Sequence, residues 1–295
     1  MKHKTDNAVG FKALGKVLEG AWGTIGPEFV NACKKVATRL GAGYSLVTFS
    51  VTAALESILR GWSIGYGDEV IVAAWSDPVD AMVTAAVGAT PVFADVCPNA
   101  PILSPEAARL RVTKNTKAVI ADMAGDAPCF IKELAAYCQR AKLYCILNLG
   151  DVWEATIDGH PITHYADAAF IDMSQGRKVD VGLAGAALTD SKENWDLFYA
   201  CHNCGRPFGT GSTLSGESSI GGDLRIAEWQ AALIPRQLEL LQPTAEAAER
   251  KRAFMPRQPF FTDQYFVKLT GCQTLYTAAD YPNSLQAEKE AFGSK

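Results

Sequence analysis

The feature that most constrains the fold is a regular alternation of short apolar runs with amphipathic segments through the first two-thirds of the chain. DEVIVAA, TPVFADV, TKAVIADM, LYCILNL and ADAAFIDM are short, apolar and rich in β-branched residues, and they predict strands. TAALESILRGW, DPVDAMVTAAVGA and IKELAAYCQRAK alternate with these runs and have the apolar spacing of helices. Continuously apolar strands separated by helices indicate an α/β fold with a mainly parallel sheet between helices.

The pattern changes at Leu224. The segment RIAEWQAALIPRQLELLQPTAEAAERKRAF predicts a long helical stretch broken by prolines, which we interpret as a transition to a second domain. We therefore predict a large α/β domain at residues 1–235, with an N-terminal arm at 1–21, and a shortened small C-terminal domain at 236–295.

Composition excludes several function classes. A chain of 295 residues with 48% hydrophobic residues can bury a substantial core. The formal net charge of -4 gives no electrostatic reason to expect nucleic acid or an anionic membrane as a partner. No apolar run approaches the roughly 20 residues that span a bilayer, and the N-terminus does not resemble a signal peptide. We expect a soluble, cytoplasmic protein.

Eight cysteines are scattered through the chain, and only Cys201 and Cys204, in CHNC, have ligand-like spacing. A four-ligand zinc site needs a second pair, and none lies at suitable spacing. A redox CxxC usually opens a helix, whereas this one follows the helical run ENWDLFYA. We expect reduced thiols in a packed core and no metal.

The strand ends locate a candidate site. In open α/β sheets, ligands bind at the carboxyl ends of the strands, so the loops to inspect are 48–52, 73–78, 148–154 and 173–178. Neither GxGxxG nor GxxxxGK[ST] occurs in the sequence. Position alone therefore predicts a site without identifying its chemistry.

Several segments, in order, resemble a known family. GAGYSLVTFSVTAALESILRGWSIGYGDEVIV, GATPVFADV, TKNTKAVIADMAGDAP, CHNCGRPFG and IGGDLRIAEWQAALIPRQLE are similar to landmarks of the DegT/DnrJ/StrS family of sugar and cyclitol aminotransferases. The likeness runs from about Trp22 to Leu241. It implies a pyridoxal phosphate (PLP)-dependent transferase fold of the aspartate aminotransferase type, a dimer with its site at the interface, and a C-terminal domain that is truncated here.

The resemblance also assigns cofactor positions, most of which carry a substituted residue. The family's phosphate loop falls on Ser50, Val51 and Thr52, where valine replaces glycine. The ring-stacking aromatic falls on Asp77, with Trp75 two residues earlier. The acid and glutamine of the ring-binding strand end fall on Leu149 and Val152, with Asp151 between them. A phosphate-binding serine falls on Asp172, and the partner subunit's phosphate-binding asparagine falls on Asp223.

The catalytic lysine position is substituted as well. An ungapped alignment through FIDMSQGRKVDVGLAGAAL places Arg177 at the Schiff-base position, and Lys178 reaches it only by a local register change. Arginine stays protonated and is a poor amine nucleophile. Two carboxylates beside a phosphate dianion would repel it, at about 4 kcal/mol per pair at 4 Å and an effective dielectric of 20.

Two hypotheses follow for the function. In the first, the chain is a catalytically degenerate aminotransferase fold that no longer binds PLP productively and acts as a non-catalytic partner, in a homodimer or with an active paralogue, or as a small-molecule binder. In the second, it is an active aminotransferase on a keto-sugar or keto-cyclitol, with Lys178 as the Schiff-base lysine and Asp151 as the acid.

Simpler structural roles remain open for the same residues. Asp172 and Arg177 could form an ordinary ion pair, and Lys178 could be a solvated turn charge. Trp75 and Trp153 could be packing residues, and Asp151 with Glu154 could begin a helix or line the pocket.

Overall fold

The structure is a computed structural model that describes residues 14–15, 17–20, 23–97, 100–123, 130–209 and 220–241. Most of the predicted N-terminal arm and nearly all of the predicted small C-terminal domain lie outside these ranges. Within them, no helix is long and apolar enough to cross a membrane.

The elements alternate along the chain as the sequence predicts. The helices are α1 Pro27–Leu40, α2 Val51–Gly61, α3 Pro78–Ala86, α4 Pro105–Arg111, α5 Ile131–Ala141, α6 Lys192–His202, α7 Glu228–Ala231 and α8 Ile234–Glu239, with a 3-10 turn at Ile162–Tyr165. The strands are β1 Tyr44–Thr48, β2 Glu69–Ala73, β3 Thr90–Ala94, β4 Val96–Cys97, β5 Ala100–Leu103, β6 Thr116–Asp122, β7 Tyr144–Asn148, β8 Thr156–Ile157, β9 His160–Pro161, β10 Ala168–Asp172 and β11 Gly185–Thr189.

The central sheet has seven strands in the order β1-β11-β10-β7-β6-β2-β3. Neighbours from β10 to β3 pair in parallel, whereas β11 pairs antiparallel with both β10 and β1. Two small antiparallel ladders, β4-β5 and β8-β9, lie outside it. The predicted α/β fold with a mainly parallel sheet is confirmed.

The core lies on both faces of this sheet, as near-continuous apolar strands require. Ile71, Ile120, Ile146 and Phe170 come from four neighbouring strands and have no exposed surface. The adjacent helices cover them with apolar faces, and α2 buries Leu55, Ile58 and Leu59 in this way.

Local sequence explains where the central helices begin. Ser50 is the N-cap of α2 and its Oγ accepts a hydrogen bond from the backbone N–H of Ala53 at 3.1 Å. Asp77 has the same role for α3, where it accepts from Val79 N–H at 3.0 Å, and Pro78 follows it in the first turn. Both are favoured cap residues, and proline is tolerated in the first turn because no backbone bond is lost there.

The predicted long helix after Leu224 is wrong at its start. Residues before Glu228 are extended, with antiparallel bridges from Arg225 to Thr48 and from Ala227 to Thr24. The helix begins only at Glu228, and Pro235 lies in the first turn of the next helix, α8. The start of the segment pairs with β1 and with Thr24 instead, so tertiary pairing overrides its helical pattern.

Candidate functional site

Four neighbouring strands bring polar side chains to one edge of the sheet. In the order β10, β7, β6, β2, the first three end at Asp172, Asn148 and Asp122, and Asp77 follows the end of β2 by four residues. Because parallel strands share the same carboxyl edge, these residues are distant in sequence and adjacent in space. This edge, with Asp80 of α3, is called the strand-end site below.

Hydrogen bonds connect the site across the strands. The backbone N–H of Asp77 donates to Asp122 Oδ2 at 3.0 Å, and Asn148 Nδ2 donates to Asp80 Oδ1 at 2.9 Å. Asn148 Oδ1 in turn accepts from the backbone N–H of Gly150 at 2.9 Å. The site therefore lies in a fixed polar framework.

Arg177 reaches over this edge and contacts two of its carboxylates. Its Nε donates to Asp172 Oδ2 at 2.6 Å, and its Nη2 lies 3.6 Å from Asp77 Oδ2. Asp172 is only 5% exposed, and its Oδ1 accepts from the backbone N–H of Ser174 at 2.9 Å. The ion-pair alternative for Asp172 and Arg177 is the arrangement found, with Asp77 as a further partner.

Hydrogen bonds within the loop between β10 and β11 fix the backbone around Arg177. Asp180 accepts hydrogen bonds from the backbone N–H groups of Gly176 and Gly182, both at 3.0 Å. Val179 beside it is fully buried. Lys178 is half-buried in the same loop, immediately after Arg177.

The N-terminus of α2 contributes the predicted phosphate-loop residues. Ser50 Oγ and Thr52 Oγ1 lie 2.7 Å apart, and Val51 packs against the core. Gly185, the first residue of β11, approaches so closely that a Cβ there would lie 2.5 Å from the Cα of Val51. A helix N-terminus suits an anion, but this one is crowded by the valine and by β11.

The predicted ring-binding strand end is apolar and closed. Leu149 has no exposed surface and Val152 is 3% exposed, so both belong to the core. Asp151 is half-buried between them, in a turn closed by the bond from Val152 N–H to Leu149 O at 2.9 Å. No helix follows this turn, so the interpretation of Asp151 and Glu154 as a helix start is wrong; Glu154 pairs with Arg39.

Trp75 and Trp153 are 3% and 2% exposed, which agrees with packing roles. Their rings belong to the same core cluster as Leu149. Both tryptophans are therefore core residues.

Asp223 lies at a separate position, where an antiparallel bridge joins it to Asn203 just after α6. Its carboxylate makes a bidentate ion pair with Arg225, through Nε at 2.7 Å and Nη2 at 2.8 Å. This pairing lowers the pKa of Asp223 and raises that of Arg225. The Asp223 side chain is 63% exposed.

Sequence reasoning missed Asp80 and Asp122. Asp80 is completely buried, and its Oδ2 has no hydrogen-bond partner. Burial raises the pKa of the Asp80 carboxyl well above its ordinary value, and the neighbouring charges of Asp122 and Asp77 raise it further. Asp122 ends a predicted strand, so inspecting every strand end would have found it; Asp80 lies inside a helix and gives no such signal.

The cysteines do not extend the site. Cys201 lies within α6 and Cys204 two residues beyond its end, and the six cysteines in the described ranges are not in disulfides. Among the residues that the structure describes, no group of three or more His, Cys, Asp or Glu side chains has a geometry that could hold a metal ion.

The sheet is mainly parallel and carries the candidate site at its strand ends, and the antiparallel strand β11 lies between β10 and the outermost strand β1. These features define the class of the protein as a PLP-transferase-like α/β protein. The model of the DegT/DnrJ/EryC1/StrS aminotransferase family matches residues 5–262. The chain belongs to that family, as the sequence motifs indicated.

Individual relatives are distant and longer. The chain is 28% identical over 241 residues to the spore coat polysaccharide biosynthesis protein SpsC of Bacillus subtilis, covering 79% of this chain and 62% of that protein. It is 28% identical over 240 residues to L-glutamine:2-deoxy-scyllo-inosose aminotransferase of Streptomyces kanamyceticus, covering 77% of this chain and 56% of that one. The chain thus spans less than two-thirds of the length of these relatives.

The fold is also similar to that of solved structures. The crystal structure of 3-amino-5-hydroxybenzoic acid synthase superimposes with a TM-score of 0.73 at 23% identity, covering 79% of this chain and 61% of that one. At this identity, the likeness concerns the fold alone.

Proposed function

We propose that the chain is a non-catalytic member of its family, which uses the aminotransferase fold as a partner or binding module. The observation that carries this proposal is the Arg177–Asp172 ion pair, with 2.6 Å between Nε and Oδ2. By the family resemblance, Arg177 stands where a lysine would react and Asp172 where a serine would bind phosphate. Here the two side chains neutralise each other.

The residues of the site do not fit PLP. A phosphate dianion needs neutral or cationic donors, whereas Asp172, Asp122 and Asp77 offer carboxylates. A protonated pyridine nitrogen needs an acid, whereas Leu149 is apolar and fully buried. The guanidinium of Arg177 spans the space between Asp172 and Asp77, the positions that resemble a phosphate contact and a ring contact.

A partner chain is the second part of the proposal. Closed two-fold dimers are the commonest oligomers, and their self-complementary surface does not depend on chemistry at the site. Three large apolar side chains near the strand-end loops and β1 support such a surface: Phe49, Leu183 and Trp229 are 40%, 61% and 45% exposed. We infer a homodimer or a heterodimer with an active paralogue, located in the cytoplasm.

The spectrum of the protein with PLP tests the non-catalytic function. Purified protein mixed with PLP is expected to give no yellow internal-aldimine band and no borohydride-fixed adduct. A band that is lost in Lys178→Ala and retained in Lys192→Ala would overturn the proposal. Lys192 is a suitable control because it lies on the surface, paired with Asp196.

Co-expression tests the partner role. An active family member expressed with the chain should co-purify with it, and its activity should change in the complex. Self-association alone, with no effect on the active member, would count against the heterodimer and favour the homodimer.

The second candidate is an active aminotransferase on a keto-sugar or keto-cyclitol. Membership of an aminotransferase family and the half-buried position of Lys178 favour it. In this case Lys178 is the Schiff-base lysine and Asp151, half-buried beside Leu149, is the acid. The PLP spectrum separates the two candidates, since only this one requires a Lys178-dependent band.

A further inference from the structure

We propose that Asp80 holds a proton inside the strand-end site, and that this proton makes the site sensitive to pH. With the proton bound, the first turn of α3 stays on the sheet edge. When the proton leaves for bulk water in alkaline solution, that turn is released. Neither state requires a cofactor, so this property is independent of the proposed non-catalytic function.

The hydrogen bonds of Asp80 match a neutral acid. The residue lies in the first turn of α3 and has no exposed surface. Its Oδ1 accepts from Asn148 Nδ2 at 2.9 Å, whereas its buried Oδ2 accepts no hydrogen bond from the described residues. A carboxylate can only accept and has two oxygens to satisfy, whereas the neutral acid turns one of them into an O–H group. Burying the neutral form with a single donor therefore costs much less than burying the anion.

Two other carboxyl groups face Asp80 and disfavour a charge there. Burial raises the pKa of Asp80 well above its ordinary value, and the negative charges of Asp122 and Asp77 raise it further. Both neighbours are held by the backbone: Asp122 Oδ2 accepts from the Asp77 N–H, and Asp77 Oδ1 accepts from the Val79 N–H, each at 3.0 Å. An ionised Asp80 would add a negative charge beside two fixed carboxyl groups.

The other charged groups around α3 have their own places in the fold. On α2, β2 and β3, which pack against α3, and just after β3, they are Glu56, Arg60, Glu69 and Asp95. Glu56 and Arg60 pair with each other at 2.7 Å, and Glu69 begins β2, at the opposite edge of the sheet. Asp95 accepts from the N–H of the next residue at 2.9 Å. From the β10–β11 loop, Arg177 places its Nη2 3.6 Å from Asp77 Oδ2.

Three features favour the charged form and are weaker than burial. The hydrogen bonds of Asn148 and Ser76 lower the pKa of Asp80, although the Ser76 hydroxyl also donates to the Ala73 carbonyl at 3.1 Å. The first turn of a helix favours a carboxylate by a factor of only about two to five in its ionisation constant. Burial has the larger effect on a group without exposed surface, so Asp80 keeps its proton at neutral pH.

Loss of the proton acts on the first turn of α3. The new charge is repelled by Asp122 at the end of β6 and gains water only if the turn moves away from the sheet edge. Asp77 is the N-cap of this turn, so it moves with Asp80 and gives up its bond to Asp122. The contact between Asp77 and Arg177 is lost in the same movement.

Asp80→Asn tests this property, because an amide has the shape of the neutral acid and cannot ionise. Asp196→Asn is the matched control, since Asp196 lies exposed on a helix and pairs with Lys192. The free energy of unfolding of the wild type and both variants would be measured with urea from about pH 4 to about pH 9, the range above the ordinary pKa of an aspartate.

The folded protein holds more protons at Asp80 than the unfolded chain above the ordinary pKa of 3.8, so this group makes stability fall as the pH rises. Relative to Asp80→Asn, the folding equilibrium constant of the wild type should fall by up to about tenfold per pH unit until the folded-state pKa is passed. Asp196→Asn should follow the wild type. The contribution of His202 cancels, because all three proteins contain it.

Parallel pH profiles for the wild type and Asp80→Asn would overturn the proposal. Insoluble Asp80→Asn protein would also overturn it, because the neutral form would then fail to support the fold. Infrared spectra of the folded proteins give a direct check at neutral pH. The wild type should show the band of a protonated carboxyl group that Asp80→Asn lacks, and identical spectra in that region would contradict the bound proton.

Hydrogen exchange separates release of the turn from a general loss of stability. At one alkaline pH, amides at the start of α3 should exchange faster in the wild type than in Asp80→Asn, while amides of α6 exchange equally in both. Comparison at a single pH removes the pH dependence of the exchange chemistry itself. Equal exchange at α3 would overturn the release. The PLP spectrum bears only on the non-catalytic function, so the two proposals fail separately.

Discussion

Arg177 Nε donates to Asp172 Oδ2 at 2.6 Å across the loop that joins β10 to β11, and the carboxylate is only 5% exposed. The pair joins two positions that the family resemblance predicts to serve a covalent cofactor. Removing the arginine would leave a buried charge without its counter-ion. The pair is therefore a structural element whose loss can be measured.

Arg177→Ala should lower the free energy of unfolding by about 3 kcal/mol, the cost of breaking a largely buried ion pair from one side. Arg60→Ala removes the same group from a more exposed pair with Glu56 and should cost about 0.5 kcal/mol. Urea unfolding of both variants measures the difference. Equal losses would mean that the Asp172 pair contributes no more than a surface contact.

The proposed non-catalytic function predicts that a lysine at position 177 is not enough for cofactor binding. Arg177→Lys leaves Asp172 beside the phosphate position and Leu149 at the ring, so we expect no aldimine band with PLP. Adding Asp172→Ser removes a repulsion of about 4 kcal/mol at 4 Å, and Leu149→Asp adds an acid at the position where the family resemblance expects one. The triple variant should bind PLP at least about tenfold more tightly than Arg177→Lys, as measured by absorbance titration. A band from Arg177→Lys alone would show that Asp172 and Leu149 are compatible with the cofactor.

Features that depend on local interactions could be predicted from the sequence, and features that depend on long-range pairing could not. The strands β2 and β6 and the helix α3 were predictable because their apolar spacing and the Asp77 cap are local signals. The antiparallel insertion of β11 beside β1 was not, because that register is set by pairs such as Thr48 with Gly185, more than a hundred residues apart.

The candidate site shows the same difference between local and long-range signals. The family resemblance singled out Asp77 and Asp172, but nothing in the sequence says that one guanidinium contacts both. Asp80 is internal to a helix, and its buried position depends on Asn148 from a different strand. Burial and long-range pairing are properties of the folded chain, and the site residues that sequence reasoning missed depend on them.

Glu228 caps the first helix of the large domain from the far end of the described chain. Its carboxylate accepts hydrogen bonds from the backbone N–H groups of Gly26, Glu28 and Phe29, at 3.0, 2.6 and 3.3 Å. The residue is 2% exposed, so Glu228→Ala would remove the acceptor of all three N–H groups, of which those of Gly26 and Phe29 are buried. We expect a loss of about 3 kcal/mol in the free energy of unfolding.

Glu239→Ala is the control for Glu228, because Glu239 pairs with Arg236 on the surface and should contribute at most about 0.5 kcal/mol. Chemical denaturation of both variants checks the prediction. A loss at Glu228 no greater than that at Glu239 would show that solvent replaces the cap.

His202, the last residue of α6, should make the protein sensitive to acid. It is fully buried, stacks on Phe29 with ring centroids 5.7 Å apart, and neither ring nitrogen has a hydrogen-bond partner. Burial, with a smaller contribution from Arg225, lowers its pKa to about 3. In the unfolded chain His202 therefore binds a proton once the pH falls below its ordinary pKa of about 6.5. In the folded protein it does so only near pH 3.

Because the unfolded state binds more protons in this window, stability falls as the pH drops from about 6.5 towards 3. One proton contributes a slope of at most about 1.4 kcal/mol per pH unit. His202→Phe keeps the aromatic stack and should reduce the slope of the free energy of unfolding against pH in this window. His160→Phe, at an exposed position, controls for the loss of one histidine. Parallel pH profiles for the wild type and His202→Phe would mean that the buried imidazole gains its proton without unfolding.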